Sequence, residues 1–131
     1  MKAIILSVGD ELTLGQVVDT NSAWLSARLI EYGIPTVYHK TVPDDLPAIV
    51  AAIHEASHKS ELVLISGGLG PTEDDLTRQA MAEVSCRPLR LHAPSLKAIR
   101  MFFKSIKRIM PAQNQVQAMC PVGARMLDNN C

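Results

Sequence analysis

Aromatic residues are scarce in this chain: only 4% of its 131 residues are Phe, Trp or Tyr. Its core must therefore be mostly aliphatic, and few side chains are available as stacking platforms for nucleic acid. Cysteine is sparse as well. Cys86, Cys120 and Cys131 are odd in number and form no C-x-x-C pair. That excludes a disulfide framework and a zinc knuckle, and reads as reduced thiols of a cytoplasmic protein. Net charge is missing too, because 13 basic and 13 acidic residues cancel. A broad electrostatic footprint for nucleic acid is therefore not expected. No apolar run approaches membrane-spanning length, and the strand after Met1-Lys2 is too short for a signal-peptide core. The length suits one domain with a core that needs no staples.

What is present alternates between strands and helices. Ala3 to Val8 is an almost unbroken apolar run ended by Gly9-Asp10-Glu11, the pattern of a strand buried on both faces. Asn21 or Ser22 is predicted to cap a helix carrying Trp24, Leu25, Leu29 and Tyr32, stopped by Gly33 and Pro35. Thr36 to Val42 is rich in β-branched residues and reads as the next strand. Pro43-Asp44-Asp45 breaks it and starts a helix with Leu46, Ile49, Val50 and Ile53 at helical spacing. Leu62 to Ile65 is a third buried strand, followed by a glycine loop and a helix from Leu76 to Val84. Pro88 to Leu91 is expected as a short edge strand. Pro94 opens a helix bearing Leu96, Ile99, Phe102, Phe103, Ile106 and Ile109, with both phenylalanines assigned to the core. From Met110 the chain reads as irregular, through Cys120-Pro121-Val122-Gly123-Ala124 to Leu127-Asp128-Asn129-Asn130-Cys131 with no closing element. The alternation predicts an α/β/α fold around a mostly parallel sheet.

The chain's densest chemistry lies in Ser66-Gly67-Gly68-Leu69-Gly70-Pro71-Thr72-Glu73-Asp74-Asp75-Leu76-Thr77. A glycine turn at the carboxyl end of a buried strand lets backbone N–H groups approach an anion, and the following helix start favours negative charge. Asp74 or Asp75 is placed to cap that helix. Three adjacent acids would repel a bare phosphate, so a divalent cation between carboxylates and phosphate oxygens is the consistent reading, a Mg²⁺–phosphate site. The stretch is neither GxGxxG nor Walker A, since no lysine follows. A β–α turn whose glycines only supply positive φ stays open beside it. Open parallel sheets bind ligands beyond the carboxyl ends of their strands. The Gly9-Asp10-Glu11 loop, the Asp44-Asp45 turn and the Gly67–Asp75 loop all fall at such ends.

Two other constellations compete. His54-Glu55-Ala56-Ser57-His58 matches H-E-x-x-H, a zinc-protease spacing. Both histidines fall on the solvent side of their helix, and no third downstream ligand stands out. Lys97, Arg100, Lys104, Lys107 and Arg108 form a basic stripe whose default reading is a solvated face. No cysteine has a local activating signature for a Cys–His pair.

The glycine-loop stretch resembles the signature of the molybdopterin-binding (MoaB/MogA-like) domain superfamily, nearest to the amino-terminal domain of CinA, the competence/damage-inducible protein. Gly9-Asp10-Glu11-Leu12, Leu14-Gly15-Gln16, Asp19-Thr20-Asn21-Ser22 and Trp24-Leu25 resemble the same family's opening segment. Val42 with Asp44-Asp45 matches its next stretch. Asn114, Gln117-Ala118, Pro121 and Gly123-Ala124 fit its later region, so the likeness covers essentially the whole chain. It implies a three-layer α/β/α MogA-like domain that binds a pterin or an adenine nucleotide along the sheet's carboxyl edge. In CinA-like proteins it implies Mg²⁺-dependent (or other divalent-metal) ADP-ribose pyrophosphatase activity; in the molybdenum-cofactor branch, adenylyl transfer to molybdopterin. A binding module without catalysis is the further alternative. By the motif match, Asp75 and Asp44 are the expected catalytic residues, with Asp74 and Asp75 toward the metal. Gly67, Gly68, Gly70 and Thr72 are expected beside the phosphates, with Asp10, Asn21, Ser66 and Thr77 completing the substrate site. Relatives of this kind assemble as dimers or trimers, so a homo-oligomer is expected, with no nucleic-acid or membrane partner. The family continues past the position of Asn129 into a Gly-Thr-Ala-Pro-Gly loop, which leads us to expect one domain over 1–131 that is incomplete at its carboxyl end.

Overall fold

The computed structural model describes residues 1–127. Its centre is β1 (Ala3–Val8), with every residue buried. β1 is flanked by β2 (Thr36–Val42) and β3 (Leu62–Ser66), both parallel to it, in the order β2-β1-β3. The continuous apolar run of β1 follows from that position, since both of its faces are covered. Side chains alternate between the faces. Ile4, Leu6 and Val8 point toward α3 (Leu46–Lys59) and join Ile49, Ala52, Ile53 and Ala56 in one aliphatic core. The opposite face carries Ala3, Ile5 and Ser7, in register with Thr36, His39 and Thr41 on β2. There α2 (Thr20–Glu31) docks, with Ser26 Oγ 2.9 Å from Thr36 Oγ1 and 2.6 Å from His39 Nε2. Helices on both faces of a parallel sheet are the expected three-layer α/β/α arrangement.

A one-turn helix, α1 (Asp10–Thr13), follows β1. Beyond β3 come α4 (Thr77–Val84), β4 (Leu89–Leu91), α5 (Ala93–Ser105), a 3-10 helix over Ala112–Ala118, and β5 (Met119–Pro121). The two short strands correct the sequence expectation. β4 is not an edge of the main sheet; it pairs antiparallel with β5 in a separate two-stranded ribbon, and β5 lies in the stretch read as irregular. A three-residue strand carries too little periodicity to announce itself; its partner lies thirty residues away, as Arg90 opposite Cys120.

Caps differ from expectation at two places. Asp19, not Asn21 or Ser22, caps α2, its carboxylate accepting from the Ser22 N–H at 3.0 Å. Neither Asp74 nor Asp75 caps α4, whose preceding residue is Leu76 with no side-chain cap. Asp45 caps α3 as its place after Pro43 suggests. Helix α5 stops at Ser105, short of Ile109, and Phe102 is 60% exposed, so it does not serve the core. Leu96 is the buried residue of that helix. Cys86 and Cys120 are free thiols, and Cys131 lies outside the described residues, as do Asp128 to Asn130. Among the described residues no helix is long and apolar enough to cross a membrane.

The core assignment gives a contrast. Leu6→Ala, at 1% exposure, is expected to lower unfolding free energy by about 2–5 kcal/mol. Phe102→Ala is expected to change it by about 0.5 kcal/mol or less. Urea unfolding of both variants reads the difference; equal losses would refute this division of core and surface.

Candidate functional site

Three loops meet at the carboxyl edge of the sheet because three parallel strands end there. The first two are tied together. The Asp10 N–H donates to Asp44 Oδ2 and the Asp44 N–H donates to Asp10 Oδ1, each at 3.0 Å. This reciprocal bridge holds the turn after β1 against the turn after β2 and spends one oxygen of each carboxylate.

The third loop folds around two close approaches. Gly67 (φ 92) lies so near the end of β1 that a Cβ there would sit 2.0 Å from the Val8 carbonyl oxygen. Gly68 (φ 61) lies over Thr77, whose hydroxyl would be 2.4 Å from such a Cβ. Both glycines are therefore required by geometry, and the left-handed backbone at both is the conformation in which successive amides form an anion-binding concavity. Among the described residues, the amides of Gly67, Gly68 and Leu69 donate to no backbone or side-chain acceptor.

Part of the rest of the loop is satisfied internally. Asp75 Oδ1 accepts from the Gly70 N–H at 2.7 Å, and Oδ2 accepts from the Thr72 N–H at 2.8 Å and the Thr72 hydroxyl at 2.6 Å. Partial burial alone would raise the Asp75 pKa. The Thr72 and Gly70 bonds and the charge of Arg78 outweigh it and hold the carboxyl below its usual range. Thr77, 3% exposed, donates its hydroxyl to the Gly67 carbonyl at 2.8 Å. Arg78 donates to the carbonyls of Leu69, at 2.6 Å, and Gly70; burial pulls its guanidinium pKa down, and Asp75 opposes that shift. One carboxylate takes two of the loop's N–H groups, while one hydroxyl and one guanidinium take three of its carbonyls.

The sequence-predicted residues thus divide. Asp10 and Asp44 come together, as do Asn21 and Ser66, whose Nδ2 and Oγ are 3.3 Å apart. Asp74 is exposed within the loop. Asp75, Thr72 and Thr77 are engaged within the loop: the carboxylate and both hydroxyls hold it, although Thr72 itself is exposed. The Gly70 amide is likewise taken by Asp75. Asp75 has exchanged a helix-capping role for this one because its own loop offers three donors.

Sequence reasoning missed Arg78, since a guanidinium bound to backbone carbonyls leaves no motif. It also missed Asp19, although Asp-x-x-Ser at 19–22 is a cap spacing. Partial burial would raise the Asp19 pKa, but the Ser7 hydroxyl, the bonds from Ser22 and the charge of His39 lower it. Among the described residues the buried Ser7 hydroxyl has no partner at full hydrogen-bond geometry.

The rival zinc motif is arranged otherwise. His54 and His58 are exposed, with ring centroids 6.1 Å apart. Glu55 is bound by Lys40 and by Lys59, and those bonds pull its pKa down to about 2. Among the described residues no three His, Cys, Asp or Glu side chains are grouped to hold a metal ion. The basic stripe on and just beyond α5 is exposed at all five positions.

Residues 4–128 match a family model described as "probable molybdopterin binding domain". A CinA-like protein of Anaeromyxobacter sp. is 49% identical over 125 residues, covering 95% of this chain and 30% of the relative. A CinA-like protein of Kosmotoga olearia is 46% identical over 129 residues, covering 98% of this chain and 31% of that relative. The crystal structure of CinA from Thermoplasma acidophilum, titled as a protein of unknown function, superposes with a TM-score of 0.87. It is 32% identical, with 95% of this chain and 73% of that one covered. The chain belongs to the CinA-like molybdopterin-binding domain family. It spans about a third of the length of the two curated CinA-like relatives. The family resemblance extends to the molybdopterin biosynthesis enzyme MoaB of Thermus thermophilus, 28% identical at a TM-score of 0.55 over 63% of this chain and 53% of that one. In this CinA-like domain the geometry of interest is the braced glycine loop beside the Asp10–Asp44 bridge.

Asp75 supplies a pH test. A folded-state pKa below the ordinary value near 3.8 means that the ionised carboxylate stabilises the fold above that value. The contribution is lost as pH falls through the lower folded pKa. Asp75→Asn, which turns an N–H donor toward loop donors, is expected to cost about 1–3 kcal/mol near neutral pH. The gap between wild type and variant should shrink on acidification below pH 4, as followed by denaturant unfolding; a pH-independent gap would refute the bracing role.

Proposed function

We propose that this domain binds the diphosphate of an ADP-ribose-like nucleotide at the carboxyl edge of the sheet and hydrolyses it. The observation that carries the reading is the run of unpartnered amides at Gly67, Gly68 and Leu69, two of them on left-handed backbone. Successive N–H groups at the end of a parallel strand are suited to phosphate oxygens. Asn21 and Ser66, already in contact, lie in the adjoining wall and suit sugar hydroxyls.

A divalent cation fits this donor set only with phosphate present. Asp75 has three hydrogen bonds on its two oxygens, while Asp10 and Asp44 each keep one oxygen outside their bridge. Mg²⁺ takes one or two carboxylates and draws its other ligands from phosphate and water, so the exposed Asp74 with the remaining capacity of Asp75 would suffice. When bound, such an ion neutralises phosphate charge and lowers the pKa of a coordinated water. The chain's own contribution is to orient the phosphates through the loop amides and the attacking water through the second oxygen of Asp44, as a general base. Asp75 acts as a positioning residue that keeps the amides turned outward.

The family description and the MoaB likeness favour a second reading, a pterin ligand in the same crevice with adenylyl transfer or binding alone. Substrate preference separates the two.

Calorimetric titration of ADP-ribose with and without Mg²⁺, followed by an assay for AMP release, tests the proposal. Metal-dependent binding with AMP released is expected. Asp44→Asn, which keeps an oxygen to accept from Asp10, should reduce release by about 100-fold or more while leaving affinity nearly unchanged. Binding without turnover would leave a binding module, and unchanged turnover in Asp44→Asn would remove that residue from the chemistry.

A further inference from the structure

A second pocket lies beneath the glycine loop, between α4 and β5. It encloses about 620 Å³, a volume typical of small-molecule sites. Leu69 and Thr77 line it, whereas Asp10, Asn21, Asp44, Ser66 and Gly67 do not, so it adjoins the diphosphate crevice across the glycine loop. Its lining is mainly apolar and includes Met81, Met119 and Met126, half of the six methionines in the chain. Thioethers are adaptable and make favourable contacts with aromatic rings. The charged groups on its wall are Arg78 and Arg87, and no carboxylate lines it. Arg87 gives one bond, from Nη1 to the Val122 carbonyl at 3.1 Å, so its planar fork retains further donors for an anion.

We propose that this pocket is a second ligand site, taking a planar aromatic compound that carries a single acidic group. The ring sits among the three methionines and the acid meets Arg87. Arg78 forms part of the wall and also grips the Leu69 and Gly70 carbonyls from below. A ligand here therefore contacts the underside of the loop whose amides face the crevice.

Anilinonaphthalene sulfonate is the probe, with N-phenylnaphthylamine as its uncharged counterpart, against the intact chain carrying methyl-labelled methionine. On addition of the sulfonate, the methyl resonances of Met81, Met119 and Met126 are expected to shift while those of Met101 and Met110 stay fixed. Shifts centred on Met101, beside the exposed Phe102, or no shifts at all, would overturn the site. Arg87→Gln should weaken the sulfonate by about tenfold and leave the uncharged probe within about twofold. Equal weakening of both, or of neither, would overturn the assignment of the acidic group. AMP should not displace the sulfonate; displacement would merge the pocket with the crevice and overturn its independence. Failure of ADP-ribose to bind leaves these outcomes unaffected, so the two readings fall separately.

Discussion

At Gly67 the backbone after β3 passes so close to the last carbonyl of β1 that no side chain fits between them. That contact commits the chain to a left-handed turn, and Gly68 extends it over Thr77. A loop in this conformation leaves many polar backbone groups unpaired, and burying them unpaired would cost the fold several hydrogen bonds. Asp75, Thr77 and Arg78 pair five of them: two N–H groups go to the carboxylate, three carbonyls to the hydroxyl and guanidinium. Among the described residues the amides left over include the consecutive run Gly67, Gly68 and Leu69 at the end of β3, as well as those of Glu73, Asp74 and Leu76 farther along the loop. The binding surface is therefore the remainder of a structural accounting, defined by which donors the brace does not reach.

The neighbouring wall follows from the parallel sheet. Parallel strands end at one edge, so the turns after β1 and β2 emerge side by side, and the Asp10–Asp44 bridge fixes their spacing. Two carboxylates that each take one backbone N–H stay anchored while keeping an oxygen outward. Asn21, near the start of α2, reaches Ser66 across the same edge. Rigid strands thus position a polar ring that no single loop could hold.

The strands were legible because their physics is local. Ala3 to Val8 is apolar without interruption since both its faces are covered, and Thr36 to Val42 is β-branched. The loop's glycines also announced themselves, and the positive φ read for them is present at Gly67 and Gly68. The crowding against Val8 and Thr77 that excludes a side chain there was not visible in the sequence. What the sequence concealed was competition among partners. Asp75 satisfies the rule for a helix cap as well as for a loop brace, and only the fold shows that three donors outbid one helix end. Phe102 has core chemistry, yet α5 packs through Leu96 and leaves it in solvent. The β4–β5 ribbon depends on a pairing across thirty residues, which short strands do not encode. Arg78 binds carbonyls, a contact available to any nearby cation and marked by no spacing.

The most direct measurement is an amide-resolved nuclear magnetic resonance titration with AMP and with inorganic pyrophosphate. If the loop amides receive phosphate, the Gly67, Gly68 and Leu69 signals move furthest. The Gly70 and Thr72 signals, already bonded to Asp75, move little. Shifts dominated by Gly70 and Thr72, or spread evenly over the surface, would contradict an anion site built from the amides that the brace leaves free.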